Sequence, residues 1–415
     1  MYNIVFIIIV GILIFDFLFE QFLEYLNAKN RNLLLPEVLK NIYPQDKYQE
    51  SIKYDKANYR FSIINSSFDF ILILLFLFIS GFAVIDQFAR LYSSNPIIIA
   101  LLFFGIILFA SDIIHIPFSI YDTFVIEEKF GFNKTTLKTF ILDKIKGWIL
   151  MVVIGGGLLA LIVWFYYYTH ELFWIYAWIL AVSFMFIMIL FYTSLIVPLF
   201  NKLKPLEEGD LKSTIQEFCN QVNFQLKDVY IIDGSKRSTK ANAFFSGLGK
   251  KKKIVLYDTL IEKLSKEEIV AVLAHEIGHY KKKHTLISFI NSTIQTGITL
   301  YILSLFIGIP EFSKVLGSDI HSFHLGLVTF GFLYSPISTV VGLFSNMFSR
   351  YNEYEADKYA FINYEGKHLI NALIKLSATN LSNLTPHPFY VFVNYSHPTL
   401  LQRIKNIEKF NKTPE

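Results

Sequence analysis

The pentapeptide His275-Glu276-Ile277-Gly278-His279 stands six residues ahead of an apolar run, 286–309, long enough to cross a bilayer. Upstream, Ser265 offers a helix N-cap with Glu267 and Glu268 in the first turn, and Ile269, Val272, Leu273 and Ile277 recur at helical spacing. On a helix, two histidines four residues apart share a face and can hold one Zn²⁺, and the glutamate between them can take a proton from an attacking water. A catalytic zinc needs three protein ligands and an open position, so this HExxH is incomplete by itself. Its complement is Ser349-Arg350-Tyr351-Asn352-Glu353-Tyr354-Glu355-Ala356-Asp357, which reads as a second helix with Glu353 and Asp357 on one face. Glu353 is expected as third ligand. Asp357 is expected either to accept from a ligating histidine or to donate a proton to the tetrahedral intermediate, and Glu355 to point away into solvent.

Around these motifs the chain is apolar. Of 415 residues 53% are hydrophobic, 17% aromatic and only 17% charged, which suits a bilayer better than water. Seven runs reach membrane length: 2–22, 66–85, 96–118, 148–168, 173–200, 286–309 and 325–348. The first lacks a basic leader and runs into Glu20 and Glu24, so it reads as a retained span and not a cleaved signal. The segments after the first and third runs are rich in Lys and Arg, from Lys29 to Arg60 and from Lys129 to Lys146, whereas the alternate loops hold only Arg90, nothing, and Lys314. The positive-inside rule therefore places the odd-numbered loops and the C-terminus in the cytoplasm and the N-terminus outside.

This pattern predicts two domains: a membrane domain, 1–200, with five spans, and a zinc-protease domain, 201–415, that includes the last two spans. Because those two spans form a hairpin, the polar stretches 201–285 and 349–415 lie on one side, the cytoplasmic side, and can build one site. Short strands are expected at 228–232 and 253–257. A net charge of +4 is too small and dispersed for nucleic-acid binding, and Lys250 to Lys253 reads as a solvated loop or headgroup contact. Cys219 is the only cysteine, which excludes an internal disulfide and a cysteine-based metal site.

Several stretches resemble the integral-membrane type 1 CAAX prenyl endopeptidases, gluzincin zinc proteases that remove the last three residues of prenylated C-terminal peptides. They are 123–136 (TFVIEEKFGFNKTT), Ser235 to Ser238 running into Asn242-Ala243-Phe244, the HEIGH and EYEAD motifs, and Ser396-His397-Pro398. The resemblance implies a mainly α barrel of seven tilted helices around a hydrated chamber, capped by the zinc domain with its small sheet. It implies one Zn²⁺ per chain on His275, His279 and Glu353, catalysis by Glu276, and a prenylated or other C-terminal peptide as substrate. Asn242 and Ala243 would meet the substrate backbone beside an edge strand, and His397 would bond the scissile carbonyl or its oxyanion. Arg350 and Arg403 are candidates for the peptide's terminal carboxylate, with structural ion pairing as the alternative.

His284 lies nine residues beyond His275, which at about 100° per residue turns it to the opposite face of a continued helix, and it reads as structural. His115, His170, His321, His324, His368 and His387 lack ligand spacing. Asp16, Asp69 and Asp112 fall within or near spans, where they either face water or bond between helices. The two metal motifs are shared with general membrane quality-control zinc proteases, which have fewer spans. A transporter or scaffold is the non-enzymatic alternative, but no paired hydropathy repeat supports it. The Ile-, Phe-, Lys- and Asn-rich composition favours a bacterial inner membrane; in a eukaryotic cell the expected location is the endoplasmic reticulum.

Overall fold

The computed structural model describes residues 4–31, 34–40, 42–226, 228–247 and 253–410. Lys250, Lys251 and Lys252 lie outside the described residues, and Lys253 reaches Ser194 Oγ at 3.0 Å.

Helices α1 (Ile4–Lys29) and α2 (Gln45–Phe78) pack side by side, and Ser80, in the left-handed region at φ 55°, turns the chain into the short α3 (Gly81–Tyr92). The second span therefore ends at Phe78 and not at 85. A polar extension at its start, 45–65, had hidden its full length. Next come α4 (Pro96–Tyr121), which continues through a wide π-helical turn over Asp122–Glu127, and α5 (Leu137–Leu150), joined by a second such turn to α6 (Gly156–Thr169). His170 has φ 48° and reverses the chain into α7 (Phe173–Leu195), whose end is extended by α8 (Val197–Phe200). Lys146 donates to the Leu199 carbonyl at 2.7 Å, so the two arms of this hairpin run antiparallel.

Among the described residues six helical runs are long and apolar enough to span a membrane, and the run Leu137–Phe200, 64 residues with a reversal at His170, has the length of two. Neighbours follow one another around a ring: α1 on α2, α2 on the end of α4, α4 on α6, and α6 on α7. The ring closes through α12 (His284–Phe306), which packs on α7, and α14 (Phe323–Asn363), which packs on both α12 and α1. Only 6–17% of each apolar window is buried, so the wall is one helix thick and has two open faces, as a barrel requires. The three intramembrane aspartates bond between helices: Asp16 accepts from Ser335 at 2.6 Å, Asp69 meets His115 at 2.5 Å, and Asp112 accepts from Lys144 at 2.7 Å and Trp148 at 2.8 Å.

Between the two membrane parts lies a four-stranded sheet. Strands β1 (Leu203–Pro205), β2 (Asp228–Ile232), β3 (Ala243–Ser246) and β4 (Lys253–Tyr257) stand in the order β1-β2-β4-β3, which leaves β3 at an edge. β2 and β4 fall at their expected positions, whereas β1 and β3, three and four residues long, are too short for period-two alternation to reveal. Under the sheet lie α9 (Asp210–Gln221), α10 (Asp258–Lys263) and α11 (Lys266–Lys281). Ile254, Leu256, Leu260, Ile269, Leu273 and Ile277 form the centre of this core, fully or almost fully buried. A capping box starts α11: Ser265 Oγ accepts from the Glu268 amide and the Glu268 carboxylate accepts from the Ser265 amide.

A short α13 (Glu311–Val315) caps the hairpin between α12 and α14, and α15 (Gly366–Thr379), α16 (Pro388–Asn394) and α17 (Leu400–Phe410) complete the domain. At 41 residues and 1.5 Å per residue, α14 extends about 60 Å. One unbroken helix thus carries both the last span and the EYEAD motif, so the membrane wall fixes the position of Glu353.

Candidate metal centre

Two helices build the site. His275 and His279 project from α11, Glu353 and Asp357 from α14, and the helices touch where Gly278 faces Ala356. His275 Nε2 and His279 Nε2 are 3.1 Å apart, and Glu353 places Oε2 3.5 Å from the former and Oε1 3.3 Å from the latter. Ligand atoms on a tetrahedral Zn²⁺ with bonds of roughly 2.0–2.1 Å stand about 3.3 Å apart. Among the described residues this trio is the one group of three or more His, Cys, Asp or Glu side chains with converging ligand atoms.

The proton inventory also fits a cation. His275 Nδ1 lies 2.9 Å from Asp357 Oδ1, and His279 Nδ1 lies 2.9 Å from His284 Nδ1. With both Nδ1 atoms donating, both Nε2 atoms present lone pairs to each other, and a positive ion between them removes that repulsion.

Asp357 has no exposed surface. It takes two bonds from Arg403, Nε to Oδ2 at 2.9 Å and Nη2 to Oδ1 at 2.5 Å. Burial opposes both charges, yet the pair holds the Asp357 carboxyl below its ordinary range and Arg403 above its own. This corrects the reading of Asp357 as a proton donor: it does not line the cavity, and its oxygens are committed to Arg403 and His275. Arg403, though at the cavity wall, has Nε and Nη2 on Asp357, Nη2 also 3.2 Å from His275 Nδ1 and Nη1 3.5 Å from Glu353 Oε2, so it is an ion-pair partner and not a free anchor for a carboxylate. Arg350 is corrected too. Its guanidinium donates to the carbonyls of Val391 (3.2 Å), Phe392 (3.3 Å) and Tyr395, bracing the turn that leads to His397. Glu355 is paired with Lys282 at 3.0 Å, not simply solvated.

Glu276, His275, His279, Glu353, His397, Asn242 and Ala243 share one cavity of about 430 Å³. Burial raises the Glu276 carboxyl above its ordinary range, the direction a general base requires. His397 is well exposed, and its Nδ1 lies 3.0 Å from Glu353 Oε1. The Asn242 side chain accepts from the Ala243 amide at 2.8 Å, at the start of the edge strand β3.

Two features of this wall escaped the sequence. Asn380 grips Ala241, accepting from its amide at 3.1 Å and donating to its carbonyl at 3.2 Å, and so holds the approach to β3. No motif surrounds it. The other is the seat of this approach on the membrane part: Lys240 pairs with Glu127 at 2.9 Å and lies 4.5 Å over the Phe132 ring, while Arg237 pairs with Asp143 at 2.7 Å. The 123–136 stretch is therefore a docking surface for the strand that lines the site.

Two family models together match nearly the whole chain: "CAAX prenyl protease N-terminal, five membrane helices" over 24–202 and "Peptidase family M48" over 205–411. The chain belongs to peptidase family M48, on its CAAX prenyl protease branch. A CAAX prenyl protease 1 homolog of Arabidopsis thaliana is 34% identical over 97% of this chain and 97% of its own length. CAAX prenyl protease 1 of Saccharomyces cerevisiae is 34% identical over 97% and 95%. The crystal structure of S. mikatae Ste24p superposes with a TM-score of 0.93 at 32% identity, covering 98% of this chain and all of that one. This M48 member is accordingly a multi-pass membrane metalloendopeptidase, and the transporter or scaffold alternative falls.

Proposed function

We propose that this M48 protein is a zinc endopeptidase that trims prenylated C-terminal peptides at the cytoplasmic face of its membrane. The observation that carries the chemistry is the convergence of His275, His279 and Glu353, with ligand atoms 3.1–3.5 Å apart, in a cavity that also holds Glu276 and the edge of β3.

Bound by that trio, zinc supplies Lewis-acid chemistry, acidifying water and polarising the scissile carbonyl. The substrate backbone adds to the free edge of β3, oriented by Asn242 and Ala243. Glu276 takes the proton of the attacking water and returns it to the departing amine. His397, with Nδ1 3.0 Å from Glu353 Oε1, is placed to turn a ring N–H toward the carbonyl oxygen as charge develops there. Asp357 and Arg403 act through His275, fixing its ring.

A second groove favours a lipid-bearing substrate over the general quality-control reading. It holds about 570 Å³ between α12 and α14 and runs from Tyr334 to Asn352, the residue before Glu353. Along α14 that is about 27 Å at 1.5 Å per residue, longer than an extended fifteen-carbon chain. Isoleucine and phenylalanine side chains line it beside Ser288, Asn291, Ser292 and Gln295.

The test is cleavage of a farnesylated CAAX peptide and its unprenylated twin by detergent-purified wild type and Glu276→Gln, with zinc content measured. Wild type is expected to release the last three residues of the prenylated peptide, and Glu276→Gln to lose about 10²–10⁴-fold in kcat while keeping its zinc. Equal cutting of both peptides would return the substrate to the general protease reading.

A further inference from the structure

The histidine that helical register excludes sits behind a ligand. α11 ends at Lys281, and Lys283 takes the left-handed conformation at φ 60°, which breaks the helix and opens α12 on His284. The break returns the His284 ring to the first helix's metal face. There it is buried, and its Nδ1 stands 2.9 Å from His279 Nδ1, with the rings nearly perpendicular at 73°.

We propose that His284 is a positioning residue for the metal: an acceptor that keeps the proton of His279 on Nδ1 and thereby presents Nε2 as a lone pair. The inference rests on the zinc-site reading and goes beyond it. A ligating imidazole binds through one nitrogen, and the partner of the other nitrogen sets both tautomer and ring angle. For His275 that partner is Asp357, itself tied to Arg403. For His279, among the described residues, the partner at Nδ1 is His284. His284 is not itself a ligand, because the nitrogen it presents faces the side of His279 remote from Glu353 and His275.

The two ligands are thus supported unequally, one by a carboxylate and one by an imidazole. For Nδ1 of His284 to accept, its proton must sit on Nε2.

The experiment compares His284→Asn, His284→Phe and His284→Ala, each stripped and reloaded, with zinc affinity read by competition against a chromophoric chelator and Tm measured with and without zinc. Asparagine places Oδ1 close to the position of Nδ1, so His284→Asn is expected to bind zinc within about threefold of wild type. His284→Phe fills the volume but cannot accept, and it is expected to weaken zinc about 10–100-fold, as is His284→Ala. A purely structural role predicts the opposite split: Phe retains affinity, and the loss in each variant tracks its zinc-free Tm. Equal affinity in Asn and Phe overturns the proposal, and because zinc binding is read directly, a protease inactive on the chosen peptide leaves the test intact.

Discussion

Gly278 and Ala356 are in backbone contact: a Cβ on Gly278 would stand 3.1 Å from the Ala356 Cα and 3.2 Å from its carbonyl oxygen. The close approach of α11 and α14 is what brings Glu353 to the two histidines. Gly278→Ala should push α14 outward by a few tenths of an ångström at a cost of roughly 1–3 kcal/mol. Zinc affinity is expected to fall about tenfold, the equivalent of about 1.4 kcal/mol, alongside a lower Tm. Chelator competition checks it. A lowered Tm with unchanged zinc affinity would mean that Glu353 is placed independently of the helix contact.

That contact also marks where sequence reading succeeds and stops. The ligands were legible because a helix puts residues i and i+4 on one face, and the capping box at Ser265 fixed where α11 begins. The register argument failed at His284 because it extended the helix through Lys283, and a lysine carries no local signal for a left-handed turn. For Arg350 and Arg403 the sequence leaves a carboxylate anchor and structural pairing both open, since their partners, the Val391 and Tyr395 carbonyls and Asp357, come from segments 41–46 residues away. Spans were countable from hydropathy, but their ends were not: Ser80 and His170, both at positive φ, set two of the turns.

The Asp357–Arg403 pair is buried, so breaking it should cost more than removing it. Asp357→Asn leaves the Arg403 charge uncompensated, and a loss of roughly 3–5 kcal/mol is expected. The double variant Asp357→Leu/Arg403→Met should recover most of that stability while zinc affinity stays low, because His275 Nδ1 still lacks its acceptor. Denaturation in detergent with and without zinc separates the two effects. Recovery of zinc affinity together with stability would show that the pair serves packing and not the metal.

Cys219 is 3% exposed, and burial pushes its thiol up to about 11. An unfolded thiol ionises near about 8.5, so its contribution to stability is fully present below that pH and is lost as pH rises towards the folded value. Over that window the slope is about 1.4 kcal/mol per pH unit. Cys219→Ala should therefore flatten the alkaline fall of stability, whatever the truncation costs at neutral pH. In the wild type, a thiol-reactive dye should stay dark until the core around α9 opens. Rapid labelling of the folded protein at pH 8 would contradict the burial.

The groove between α12 and α14 can be tested without touching a ligand. Ser292 and Ser345 lie on facing helices of that groove and both are exposed. A tryptophan at either position should displace part of a seated isoprenoid. Excluding two or three carbons, at about 0.8 kcal/mol each, forfeits about 2 kcal/mol, or roughly a 30-fold loss in kcat/KM. Because the lost contact is equally present in ground and transition states, the loss should appear in KM and leave kcat near wild type. The unprenylated peptide should be cut by Ser292→Trp and Ser345→Trp as it is by wild type. If both peptides suffer alike, the bulky side chain has moved α14 and with it Glu353, a result that zinc affinity would register; if neither does, the lipid lies elsewhere in the barrel.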